Sequence, residues 1–173
     1  MNIFYLHSDP FKAAKYQYNK HAVKMVLESA QMLCTAHHHY GNGDNVPYRK
    51  AHYNHPSTVW ARQSTQHYSW LLDHFIGLAD EYHKRYGKRH LAFEKCIDSL
   101  LNPPVGMPDN GFVEPPQCMP DEYKADSAIH AYWQYYINEK RSVVNSDETA
   151  YESVPYEVAD IIRREHDNTV VTN

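Results

Sequence analysis

Asn54-His55-Pro56-Ser57-Thr58-Val59-Trp60-Ala61-Arg62 marks a polar turn that runs into a long amphipathic helix. Proline suits the first helical position, where its missing N–H would have no partner anyway. The helical pattern opened by Pro56 continues to about Tyr86, and Gly87 stops it. Trp60, His67, Trp70, Leu71, His74, Phe75, Leu78 and Tyr82 form its apolar stripe. The same turn gathers His55, Trp60 and Arg62 near a helix start, where unpaired N–H groups and a partial positive charge favour anions. Trp60 offers a stacking face and Arg62 a planar charged fork. Together they point to a place for a nucleotide or nucleic acid. The plainer alternative is a capped helix with a core tryptophan.

Outward from this stretch the pattern stays helical. Ser8-Asp9-Pro10 is a helix start, with an acid or hydroxyl cap before proline. The helix it opens runs to about Ala36, with a break near Asn19. Ala22, Val23, Val26, Leu27, Ala30, Leu33 and Cys34 fall on one face; His21, Lys24, Met25 and Glu28 fall on the opposite face. His37 to Asn45 is a turn-rich exit. A third helix covers about His90 to Leu101, and a fourth about Ala125 to Arg141, carrying Ile129, Tyr132, Trp133, Tyr136 and Ile137. Between them, residues 102–121 hold six of the ten prolines and form an irregular arm. No strand-rich region or repeat interrupts this pattern. The expected fold is mainly α: a single-domain bundle of four to five unequal helices over residues 1–141, with a Pro-rich arm and a short extended N-terminal segment. An acidic extension follows over residues 142–173, with one short helix from Tyr156 to Glu165.

The chain of 173 residues carries a formal net charge of −4, with 15 tyrosines, 13 histidines and only 6 glycines. This balance argues against strong non-specific DNA binding, which needs many cations, but it leaves room for a local basic groove. Mean hydropathy is −0.73. No apolar run approaches the roughly 20 residues of a membrane span. Residues 1–10 lack the basic and apolar regions of a secretory signal. Cys34, Cys96 and Cys118 show no paired spacing and fit reduced thiols in the cytoplasm.

The amino terminus is a candidate nucleophile. An α-amine has a pKa near 8, about two units below lysine, so more of it is free base at neutral pH. Such an amine can attack an aldehyde or a sugar C1′ and form a Schiff base. Ile3-Phe4-Tyr5-Leu6 would hold it against the fold, and the large Asn2 favours retention of Met1. The alternative is an ordered chain end without chemistry. His21, Lys24 and Glu28 share a helix face; they either line a cleft against this segment or make a surface ion pair, Lys24 with Glu28. Asp121, Glu122 and Tyr123, at the end of the arm, could face a cleft or simply cap a helix.

His37, His38 and His39 are consecutive and point apart on a helix, and no HExxH is present. The pattern therefore calls for no metal, although a His-ligated metal hydrolase stays as a weaker alternative. No Walker loop, GxGxxG or GxSxG is present, so no cofactor is expected.

Met1-Asn2-Ile3-Phe4-Tyr5-Leu6-His7, the first-helix Lys20-His21, and Asn54-His55-Pro56 with the helix to Arg85-Tyr86-Gly87 resemble the pyrimidine-dimer DNA glycosylase family over roughly residues 1–90. The chain also looks like a group of uncharacterised phage proteins carrying His21-Ala22-Val23-Lys24-Met25 and Pro120-Asp121-Glu122-Tyr123-Lys124. The glycosylase resemblance implies an all-α fold acting on DNA bases, with the α-amine attacking the sugar C1′ before β-elimination. A first-helix glutamate assists in that family. Here that region holds Ala22, Val23 and Lys24, and the first carboxylate is Glu28, one turn further on. The resulting expectation is a phage-type enzyme on DNA or a nucleotide base, in the host cytoplasm. Met1 supplies the amine, and Lys24 or Glu28 handles protons. His21 lines the cleft; His55, Trp60 and Arg62 hold phosphate and base, with Tyr123 as a wall. The alternative class is a non-catalytic protein that captures a nucleotide or another protein.

Overall fold

The computed structural model describes residues 1–140. These form six α-helices: α1 (Pro10–Lys15), α2 (Asn19–His39), α3 (Pro56–Ala61), α4 (Thr65–Tyr86), α5 (Leu91–Leu100) and α6 (Ala128–Tyr135). No strand occurs among the described residues. The fold is mainly α, as the hydrophobic periodicity requires. The C-terminal extension and its Tyr156 to Glu165 helix lie outside the described residues.

Helices α2 and α4 form the spine, and α1 packs across α4. Gly77 in α4 permits this approach: a Cβ there would stand 3.1 Å from Ala14 Cβ and 3.3 Å from Phe11 Cα. The break between α1 and α2 has a physical anchor in Arg85. Its guanidinium donates to the carbonyls of Lys15 (3.0 Å) and Gln17 (2.8 Å) and to Asn19 Oδ1 (3.1 Å). It thereby satisfies the carbonyls left open where α1 ends. Asp9 caps α1 through Phe11 N and Lys12 N, and Gly87 closes α4 in the left-handed region at φ 67°.

Three sequence expectations need correction. The long helix expected from Pro56 to Tyr86 is two helices, interrupted at Arg62-Gln63-Ser64. Ser64 caps α4, its hydroxyl accepting from Gln66 N at 3.3 Å, and the arm supplies Pro108 O to Thr65 N at 2.9 Å. A hydroxyl cap embedded in a continuous apolar stripe hides such a break from periodicity. The helix expected over residues 125–141 begins later, at Ala128, and widens into a π-helical stretch over Tyr136–Lys140. Finally, His21, Met25 and Glu28 of α2 are buried, whereas Val23 and Leu27 are exposed. The N-terminal segment covers the polar face of α2, so that helix is enclosed on more than its apolar stripe.

That segment is extended and buried: Ile3, Phe4, Tyr5 and Leu6 are all within the core. Buried polar tips pin it. Trp133 Nε1 donates to Leu6 O (2.9 Å), Trp70 Nε1 to Ser8 O (2.7 Å) and Gln17 Nε2 to Ile3 O (3.3 Å). The Pro-rich arm is strapped down in the same way. Trp60 Nε1 donates to Val113 O, Tyr132 Oη to Pro116 O, and Ala128 N to Glu114 Oε2. Among the described residues no helix is long and apolar enough to cross a membrane.

Candidate active site at the amino terminus

The extended segment delivers Met1 to the side of α2. Phe4 sits at φ 55°, a left-handed conformation that an aromatic residue adopts only under constraint. Its ring stacks on His21, with centroids 4.4 Å apart and planes at 11°. Asn2 then locks the end. Its amide N donates to Glu28 Oε2 at 3.2 Å, and its Nδ2 donates to Cys118 O at 2.9 Å on the arm.

The Met1 α-nitrogen lies 3.8 Å from Glu28 Oε2, and Lys24 Nζ lies 3.2 Å from Glu28 Oε1. Glu28 is therefore a buried carboxylate, its side chain 11% exposed, shared between an N-terminal ammonium and a lysine. The lysine itself is 68% exposed and stands at the rim. These residues line a cleft of about 470 Å³, together with Phe4, Lys20, His21, Cys118, Tyr135 and Lys140. Three of its lining side chains are lysines, so the mouth is locally cationic although the chain is acidic overall.

His21 is held neutral. Burial, then Lys140 and Lys24, push its pKa down to about 4. Its Nδ1 lies 2.8 Å from Tyr136 Oη, and that hydroxyl accepts from Tyr18 N at 2.8 Å. His55 is the N-cap of α3, its Nδ1 accepting from Ser57 N at 3.2 Å. Burial is the chief cause that lowers its pKa, and the nearby N-terminal ammonium adds to it. His55 is thus a neighbour of the amine and does not line the cleft.

Trp60 and Arg62 lie elsewhere. Trp60 is 3% exposed and stacks on His67 at 4.5 Å, which makes it a core residue without a free face for a ligand. His67 Nε2 accepts from Val113 N, so its Nδ1 donates to Trp60 O at 2.9 Å. Arg62 lines a different pocket. The separation follows from α3 itself: Trp60 points into the core and Arg62 is the C-cap, at the opposite end from the His55 N-cap. Tyr123 packs against Tyr135, with centroids 5.6 Å apart, and so stands behind the cleft wall.

Sequence reasoning missed Asn2, Cys118, Tyr135, Tyr136 and Lys140. Asn2 carried a signal, being next to the proposed nucleophile. The others reach the cleft through contacts more than 90 residues apart in sequence, which no local spacing reveals. Among the described residues, no three His, Cys, Asp or Glu side chains cluster as a metal site requires. Comparison with known proteins brings no family to this geometry: no family model, curated protein or solved structure matches the chain significantly.

Proposed function

We propose that the cleft carries out Schiff-base chemistry on DNA, as a glycosylase with lyase activity. One observation carries this reading: the Met1 α-nitrogen sits 3.8 Å from the buried Glu28 carboxylate at a cleft. The first-helix glutamate implied by the resemblance to pyrimidine-dimer glycosylases has a counterpart in Glu28. Its position one turn further on still lies on the face that meets the N-terminus.

The chemistry follows from these groups. The free amine donates its electron pair to C1′ of the deoxyribose, and the glycosidic C1′–N bond breaks. The base leaves with that bonding pair and takes a proton from solvent. Glu28 accepts a proton from the new ammonium and returns it to the ring oxygen as the sugar opens to an iminium. A C2′ proton then passes to solvent, the C3′–O bond breaks with its pair on the departing 3′ phosphate, and water hydrolyses the imine to restore the amine. His21, neutral at physiological pH, serves as a hydrogen-bonding wall rather than a cationic acid. Lys20, Lys24 and Lys140 offset the charge of the flanking phosphates.

Borohydride trapping with a duplex containing an abasic site tests this. The expected result is a covalent adduct on Met1 that disappears when the α-amine is blocked. Absence of any adduct ends the catalytic reading. Large thermal stabilisation by nucleotides without turnover would then favour a non-catalytic binding cleft.

A further inference from the structure

Arg62 stands out among the charged side chains of the described residues. It is only 8% exposed, yet it forms no ion pair with any described carboxylate. Its Nη1 donates to Tyr53 O (2.6 Å) and Thr58 O (3.5 Å), and its guanidinium lies over the Tyr53 ring at 4.0 Å. Its Nε and Nη2 donors take no partner among the described residues. A buried charge without a counter-ion is costly, and a guanidinium suits bidentate recognition of an anion. The arginine borders an open pocket of about 540 Å³ whose lining contains no acid.

The walls define the chemistry. Tyr40 and His39 present rings set edge to face at 4.7 Å, and Val59 and Val113 add aliphatic surface. Asn110 and Gln63 supply neutral polar groups at the rim. The pocket shares no lining residue with the Met1 cleft. Arg62 is anchored by backbone carbonyls on one edge, so its free edge is pre-oriented at little cost in side-chain entropy.

We propose that this pocket is a second site, which binds the phosphate group of a nucleotide through the free edge of Arg62. The phosphate comes either from a free nucleotide or from a nucleic-acid backbone, and the ring and aliphatic walls take the organic part. The site is independent of Schiff-base chemistry at Met1.

Isothermal titration of the full chain with thymidine 5′-monophosphate and with a short single-stranded oligodeoxynucleotide tests it. Binding of thymidine 5′-monophosphate at least as tight, per site, as that of the oligonucleotide assigns a free nucleotide; tighter binding of the oligonucleotide, or binding of it alone, assigns a backbone phosphate. Either result supports the site if Asn110→Asp, which places a carboxylate in the pocket, weakens binding by at least about tenfold, or about 1.4 kcal/mol. Asn110 is exposed and its Nδ2 donates to Gln63 O at 2.8 Å, so an unchanged melting temperature is required of this variant before its binding is read. Arg62→Lys should weaken binding as well, because it loses the fork. The Asn110→Asp loss separates this site from the Met1 cleft, because the two share no lining residue. Binding of neither probe at millimolar concentration, or binding indifferent to Asn110→Asp, overturns the proposal.

Discussion

Glu28 Oε2 holds both ends of the first peptide unit, 3.8 Å from the Met1 α-nitrogen and 3.2 Å from Asn2 N. The carboxylate thus fixes where the amine sits and is a base within its reach. Glu28→Gln keeps shape and hydrogen-bonding capacity but removes the base. Adduct formation on abasic DNA should slow by about 10²–10⁴-fold, the usual range for a lost general base. A normal trapping rate in this variant would remove Glu28 from the chemistry.

Acid should loosen the fold through its buried imidazoles. His21 and the fully enclosed His74 each have a pKa pushed down to about 4, chiefly by burial. A histidine with a lowered folded-state pKa binds fewer protons folded than unfolded. Its contribution to stability is therefore full above its unfolded pKa of about 6.5 and is lost as pH falls toward 4. Each can contribute a slope of up to about 1.4 kcal/mol per pH unit in that window. Urea denaturation at several pH values measures the slope, and His74→Gln should flatten it.

Trp60→Ala should cost about 3–5 kcal/mol, the usual penalty for emptying an aromatic core site. The variant loses the His67 stack and the hydrogen bond to Val113 O, so the arm should loosen as well. A loss below about 1 kcal/mol in chemical denaturation would show that Trp60 is not core.

These outcomes bear on how far the sequence could be read. Capping and periodicity revealed the helical class, the buried N-terminal segment and the Gly87 stop, because all three depend on residues close together in the chain. The grouping of Met1 with Trp60 and Arg62 rests on their nearness in sequence to one helix start, but within α3 Trp60 turns into the core and Arg62 lies at the far end. The Ser64 cap divides the helix expected over residues 56–86, and a serine inside an apolar stripe gives little warning. The sequence leaves Glu28 between a cleft against the N-terminal segment and a surface ion pair, because the segment that covers it is contiguous with no part of α2. Lys140 and Cys118 entered the cleft through the fold alone.

Gly77→Ala pits two effects against each other. Alanine gains about 1 kcal/mol of helix propensity over glycine. The added methyl meets Ala14 Cβ at 3.1 Å and the Phe11 backbone at 3.3 Å, and overpacking of this kind costs typically 1–3 kcal/mol. The steric term should win, giving a net loss of about 1 kcal/mol in denaturant unfolding. A stabilised variant would mean that α1 can shift off α4 freely.

Thiol reactivity should divide the cysteines. Cys118 is partly exposed beside the cleft, whereas Cys34 and Cys96 are fully buried. A chromogenic disulfide reagent should titrate one thiol in the native protein and all three in denaturant. If the Cys118 carbonyl is the arm's tie to Asn2, alkylation of its side chain should also slow adduct formation at Met1.

The tie between Trp133 and Leu6 spans 127 residues of sequence. On a translating ribosome the first residues therefore wait for α6 before they can seat. At roughly 5–20 residues per second, that delay is on the order of ten seconds. Throughout it the first segment lacks this buried tie and rests on Glu28, Gln17 and Trp70.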